Sequence, residues 1–184
     1  MKKSYDYFKT LKELSNMLFE AYNVYCDSKA LNKEYLCFSA LKNELSENLI
    51  NEFVAPIERN DIYKLSFCLN EEFGCVMSFS DFLGLSDTNS FEYFGQIGDL
   101  FYKQSELFDF YGLLKLPQKA LKNVSLQIAE CKKIKKSINA ETRAIIVTQN
   151  QPLITYIIAS SCVDIVSSVE RTYNEIGRVL INNS

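Results

Sequence analysis

The chain has 184 residues, of which 47% are hydrophobic, so it is long and apolar enough for a folded domain with a substantial core. A net charge of −3 gives no basic face for nucleic acid, and no nucleic-acid partner is expected. The absence of histidine removes the commonest general base and the commonest metal ligand, which argues against both catalysis and a transition-metal site.

Two amphipathic helices are predicted in the first third of the chain. From Tyr5 to Tyr25, apolar residues recur every three or four positions, as on one face of a helix. A polar break at Asp27 and Ser28 can cap a second helix. The apolar residues expected on the buried face of that second helix are Leu36, Ala40, Leu41, Leu45, Leu49 and Phe53.

A third helix is predicted from about Arg59 to about Leu83. Pro56 interrupts the preceding pattern, and an acidic first turn containing Asp61 suits a helix N-terminus. Glu71 and Glu72 are neighbours on this helix, so they point about 100° apart and cannot share one metal directly. The residues expected to face inward are Ile62, Leu65, Leu69, Phe73, Val76 and Phe79.

A fourth helix is predicted from about Ser90 to about Leu114, after a loop at residues 84–89. Its segment Gly95-Gln96-Ile97-Gly98 lacks the preceding strand and the third glycine of a nucleotide loop, so these glycines are expected to permit close packing. The oxygen-rich residues 87–90 lack the glycine and terminal glutamate of a calcium loop and indicate a turn. The aromatic residues of the fourth helix are Phe91, Phe94, Phe101, Tyr102, Phe108 and Tyr111.

The last third of the chain predicts two long helices. The first begins after Pro117, runs to about Val147 and carries a lysine-rich run at residues 132–136, which is expected to be a solvated face rather than a phosphate or lipid site. The second begins at Pro152, a residue suited to a first helical turn. Its expected buried residues are Ile154, Ile158, Cys162, Ile165, Val169, Tyr173, Ile176 and Leu180.

Two alternatives concern the junction between these last helices. Residues 145–148 and 153–158 are β-branched and could form a hairpin, but the helical spacing that continues to Leu180 favours helix. No charge occurs between Arg143 and Asp164, yet the polar residues 148–151 and Pro152 indicate a turn rather than a transmembrane helix. Six long helices with short connections predict an all-α, six-helix antiparallel bundle, with residues 1–184 forming a single domain.

The cysteines argue for a reducing compartment. No two of them form a CxxC pair, which excludes the common zinc and thioredoxin motifs. Residues 1–6 contain no apolar signal region, so a cytoplasmic location and free buried thiols are expected. The six residues concerned are Cys26, Cys37, Cys68, Cys75, Cys131 and Cys162. Because no serine or cysteine has a histidine partner, no catalytic residue and no cofactor are predicted.

The most distinctive stretch is the joint between the second and third helices, residues 53–63. It combines an apolar helix end, a proline, an arginine and an acidic first turn, and the Asp61 carboxylate is expected near the free backbone N–H groups of that turn. The residues that define this joint are Phe53, Pro56, Arg59, Asp61 and Ile62.

The joint closely resembles the corresponding joint of the PhoU-like phosphate transport regulators, a family of distant relatives of PhoU, where it reads roughly F-I-x-P-x-D-R-x-D-I. Other segments resemble that family in the same order along the chain, although less specifically. They are the opening residues 5–8, the penultimate-helix residues Ile134, Lys135, Lys136, Asn139 and Arg143, and in the last helix Glu170 and residues 179–183.

The resemblance implies a PhoU-like bundle made of two related three-helix halves. It also implies a non-enzymatic cytoplasmic regulator or accessory protein that contacts a membrane transporter of inorganic phosphate. Relatives often hold metal clusters through acid-x-x-x-Asp pairs, which lie one helical turn apart and can converge on a cation.

This sequence departs from the family at all four of those pairs. The aligned positions are Tyr35 and Ser39, Asn70 and Gly74, Ile138 and Thr142, and Val163 and Ser167. Only Glu71 and Glu170 remain as neighbouring acids, and no bound metal is therefore expected.

Three functional hypotheses follow. The first is regulation of inorganic phosphate transport through protein–protein contact. The second is a helical-bundle interaction module that has lost the metal sites and no longer acts in phosphate physiology. The third is a ligand-binding protein that uses the aromatic helix from Phe91 to Tyr111. The sequence leaves a homo-oligomer open under any of the three.

Overall fold

The computed structural model describes residues 5–51, 55–84, 92–148 and 152–183 of the chain. Within these ranges every regular element is an α-helix, which confirms the predicted all-α class. Six of the helices are long and one is a single turn. They are α1 (Tyr7–Asn23), α2 (Ser28–Asn51), α3 (Arg59–Leu83), α4 (Glu92–Leu107), α5 (Phe110–Leu113), α6 (Pro117–Thr148) and α7 (Pro152–Asn182).

Short polar side chains and prolines set the starts of the helices. The Asp6 side chain accepts a hydrogen bond from the backbone N–H of Lys9 and caps α1. Asp27 Oδ1 accepts from two backbone N–H groups in the first turn of α2, at 3.0 and 3.1 Å, so the predicted cap is present. Pro117 and Pro152 are the first residues of α6 and α7, where a missing N–H costs no hydrogen bond.

In chain order the long helices form two groups, one of α1, α2 and α3 and the other of α4, α6 and α7, and the helices within each group are in contact. The contacts of α3 with α7 and of α1 with α4, which join the groups, are more extensive than most contacts within them, so the six helices form one bundle rather than two separate halves. Asp61 near the start of α3 meets Arg178 near the end of α7, whereas Glu72 further along α3 meets the earlier residue Thr172, so these two helices are antiparallel. The predicted six-helix antiparallel bundle is therefore present.

The core follows the predicted faces on α1, α3 and α7. All six residues expected to face inward on α3 have no exposed surface. Aromatic rings from both groups meet at the centre. The ring centroids of Tyr22 and Phe101 lie 5.3 Å apart, and those of Phe79 and Phe94 lie 5.2 Å apart. Tyr93, Phe94 and Phe101 of α4 thus fill the core, whereas Tyr102 is half exposed.

The predicted buried face of α2 is partly wrong. Leu36 is 70% exposed and Ala40 is also exposed, whereas Leu45 and Leu49 are buried as predicted and Leu31 and Phe38 are buried in addition. Because α2 is an outer helix that packs on α1 and α3, it buries a narrow stripe with a seven-residue spacing.

The fourth helix ends at Leu107, not at about Leu114. Phe108 and Phe110 are both fully buried and their rings meet edge to face at 5.7 Å. On a continuous helix two residues that are two positions apart point about 200° from each other, so both could not face the same core. A break at Asp109, followed by the single turn α5, brings both rings inward.

The hairpin alternative is wrong, because residues 145–148 and 152–158 are helical. Several predictions lie outside the described residues: Phe53, Phe91, residues 85–90 of the predicted loop and turn, and residues 149–151 at the last junction.

Helix α7 is the one helix of the described ranges with the length and apolar composition to cross a membrane. Half of its most apolar window is buried inside the protein, and α7 packs against both α3 and α6. The central helix of a bundle has this same composition because it is surrounded by other helices.

Candidate functional site

The described part of the joint has the predicted backbone. Pro56 lies in the turn between α2 and α3, Arg59 is the first residue of α3, and Asp61 and Ile62 are buried in its first turn. Glu58, Arg59 and Asn60 are exposed, so the joint presents one charged surface outward and one acidic side chain inward.

The role expected for the Asp61 carboxylate is wrong. Its Oδ1 atom accepts a hydrogen bond from Arg178 Nη2 at 2.7 Å, and Oδ2 has no partner among the described residues. Arg178 is one third exposed and also donates to Glu175 at 2.8 Å. Asp61 therefore ties the start of α3 to the end of α7 instead of capping its own helix.

A second acidic group lies at the centre of the bundle. Glu72 has no exposed surface, and its two oxygens accept hydrogen bonds from Thr172 Oγ1 on α7 and from Gln104 Nε2 on α4, the latter at 2.7 Å. This cluster links three helices from both groups. Burial raises the pKa of the Glu72 carboxyl to about 7, and the two hydrogen bonds oppose that shift because they stabilise the charged form.

Sequence reasoning missed Gln104, Thr172 and Arg178. The sequence did indicate that partners for Glu72 must exist, because Glu72 falls between Leu69 and Phe73 on the buried face of α3. A buried carboxyl requires hydrogen-bond donors, but no local pattern states which helix supplies them.

The two acids that remain from the family pattern are both paired with bases of this chain. Glu71 accepts from Arg171 at 2.5 Å, and Glu170 accepts from Lys135 at 2.5 Å. Lys135 and Glu170 are mostly buried, so the prediction of a solvated lysine face is wrong for Lys135. Each of these two carboxylates is therefore neutralised by a basic side chain of the same chain.

The positions that the resemblance aligns with metal-binding pairs have structural roles in this chain. Tyr35 packs on Phe73, Asn70 accepts a hydrogen bond from Lys42, and Ile138 is fully buried. Within residues 5–51, 55–84, 92–148 and 152–183, no three Cys, Asp or Glu residues are placed to hold a metal ion together. The absence of bound metal remains a prediction for elemental analysis.

A cleft of about 500 Å³ opens beside Glu71, between α3 and α7. It contains two acids and one thiol, namely Glu71, Asp164 and Cys75. Burial is the largest cause that raises the pKa of Cys75, which leaves this thiol protonated and a poor nucleophile at neutral pH.

The glycines of α4 do not both serve close packing. A Cβ atom on Gly98 would lie 3.4 Å from the ring of Tyr22, which is van der Waals contact, whereas one on Gly95 would meet no atom within 4 Å. The prediction is thus supported at Gly98 and wrong at Gly95.

All six cysteines are free, as predicted. Cys68, Cys131 and Cys162 are buried and Cys75 is half-buried, but Cys26 and Cys37 are exposed. The expectation of uniformly buried thiols is wrong for these last two residues.

No protein-family model matches the chain, and no curated protein is similar enough to count as a match.

Proposed function

We propose that the protein is a non-enzymatic regulator or accessory of inorganic phosphate transport that acts through protein–protein contact. The observation that carries this proposal is the joint sequence from Phe53 to Tyr63, which closely resembles the joint of the PhoU-like regulators. The all-α bundle of six long helices, which the resemblance also implies, is compatible with it.

The state of four acidic groups supports action by binding rather than by catalysis. Glu72 is sealed in the core, and Asp61, Glu71 and Glu170 are each paired with a base. The chain has no histidine, so none of these four carboxyl groups has an imidazole partner for proton transfer to a bound substrate. A protein of this kind changes a partner by binding one of its states more tightly than another.

The partner proposed is the cytoplasmic face of a membrane phosphate transporter. Cytoplasmic loops of membrane proteins are enriched in lysine and arginine, and a chain of net charge −3 complements them. The exposed residues Glu58, Arg59 and Asn60 place the joint where a partner can reach it.

The second candidate function is that of a helical-bundle interaction module that no longer acts in phosphate physiology. The observation that favours it is the loss of carboxylates at all four aligned pairs, two of which now hold buried or packing residues such as Ile138 and Tyr35.

The experiment combines gene deletion with recovery of the partner. Deletion is expected to change phosphate uptake, and a tagged copy is expected to recover the transporter from detergent extracts. A Glu58→Lys variant should fail to restore uptake, because its new positive charge would repel the basic loops of the transporter, whereas the matched control Glu44→Lys, on the exposed side of α2, should restore it. Normal uptake after deletion together with no recovered transporter would favour the general interaction module.

A further inference from the structure

A shallow apolar groove lies where α5 meets the first turns of α6. Its volume is about 400 Å³ and most of its lining is apolar. Leu116 and Leu126 both line it and are 62% and 58% exposed, although leucine side chains are usually buried. The lining residues are Gly112, Leu113, Leu116, Lys119, Ala120, Lys122, Asn123 and Leu126.

An exposed stripe continues from this groove along α6. Its members recur every three or four residues, so they lie on one side of the helix, and each of them is exposed. The stripe is about 26 Å long, given a rise of about 1.5 Å per residue. It consists of Lys119, Lys122, Leu126, Ala129, Lys133 and Lys136.

The charge of this region is opposite to that of the chain. Between Asp109 and Glu130 the sequence has three lysines and no acid. Helix α6 carries six lysines and one arginine against two glutamates, within a chain of net charge −3. Lys133 pairs with Glu130 at 3.3 Å, but Lys119 and Lys122 have no ion-pair partner in the described part of the chain.

We propose that the groove and the stripe together bind an acidic amphipathic helix of a partner protein. Apolar side chains of such a helix would enter the groove between Leu116 and Leu126, and its carboxylates would lie against the lysines. The lysines would select an acidic segment over a basic one, because a like-charged partner is repelled at the same positions. This inference does not depend on the link to phosphate transport.

The shape of the surface favours a protein helix over a membrane. Ala120 and Leu113 form a recessed floor, and lysines rim it. A helix that lies in a membrane interface presents a broad, continuous apolar face, which the lysine-interrupted stripe of α6 lacks. A helical partner can contact the narrow stripe along its whole length, whereas a flat bilayer requires a broader apolar face.

The test uses a synthetic helix as the probe. A peptide of about 18 residues, with glutamates along one face and leucines along the other, spans the stripe. Its binding to the full chain is measured by fluorescence anisotropy, beside a counterpart in which every glutamate is lysine. We expect the acidic peptide to bind at least about tenfold more tightly, and added salt to weaken it because the ion pairs are exposed.

Surface variants locate the site. K119E/K122E should weaken binding about tenfold or more, and L116S/L126S should weaken it without the salt dependence being lost. The matched control K29E/K33E makes the same charge change on α2 and should leave the affinity within about twofold. Circular dichroism of each variant shows that the helices are intact.

Three results would overturn the proposal. The acidic and basic peptides could bind equally, or K119E/K122E could leave the affinity unchanged. Vesicles that contain phosphatidylglycerol could bind through Lys119 and Lys122 while the peptide does not, which would assign the surface to a membrane.

Discussion

Asp61 and Arg178 stand 117 positions apart in the chain and meet at 2.7 Å, so that the start of α3 is fastened to the end of α7. The two partners differ in their surroundings. Asp61 has no exposed surface, whereas Arg178 is one third exposed and has Glu175 as a second partner. Removal of one partner therefore has a different consequence from removal of the other.

Arg178→Ala is expected to destabilise the fold by about 3–5 kcal/mol, because it leaves a buried carboxylate without its cation. Asp61→Ala should cost less, about 1–3 kcal/mol, since the arginine left behind keeps Glu175 and water. The free energy of unfolding from urea titration measures both changes. The double variant should lose less than the sum of the two single losses, and simple additivity would contradict the pairing.

Glu72 should make stability fall as pH rises. Its pKa is about 7 in the folded protein against an ordinary 4.5, so between these values the folded chain holds a proton that the unfolded chain has released. Stability from this group is full below about pH 4.5 and is lost toward pH 7, at up to about 1.4 kcal/mol per pH unit. Unfolding free energies at several pH values should show this slope in the wild type and lack it in Glu72→Gln. Equal slopes in the two proteins would show that another group is responsible.

Gly74→Ala should stabilise the protein by about 0.5–1 kcal/mol, because glycine in a helix interior costs conformational entropy. Gly74 is exposed in α3 and an added Cβ atom would meet nothing within 4 Å. Gly98→Ala is the contrasting variant, since its Cβ atom would press on the Tyr22 ring at 3.4 Å and should gain less. Thermal melting distinguishes them, and a lower melting temperature for Gly74→Ala would contradict the open space beside it.

The thiols should react with Ellman's reagent in two classes. Cys26 and Cys37 are exposed and should react within minutes in the folded protein near pH 8. Burial raises the pKa of Cys68 to about 11 and that of Cys131 to about 12, so these thiols are both protonated and covered. They should react only after unfolding. Fast reaction of more than three thiols without denaturant would contradict the core described here.

The sequence by itself determined the helices and most of their buried faces. The period of apolar residues is a local property of the chain, and it located α3 from Arg59 to Leu83 and the starts of α6 and α7 at their prolines. The apolar period failed to predict burial and helix ends where packing against neighbouring helices determines them. Leu36 is exposed because α2 lies at the edge of the bundle, and α4 ends early because Phe108 and Phe110 must face the same core.

Only the tertiary structure decided what the acidic residues do. Asp61 suited a helix cap by its position, yet its carboxylate turns to Arg178 on another helix. Glu72 and Glu71 are adjacent in sequence, but one is sealed with Thr172 and Gln104 and the other pairs at the surface with Arg171. A buried carboxylate is stabilised by the hydrogen-bond donors that the packing of distant helices brings to it. A local sequence pattern does not identify those donors.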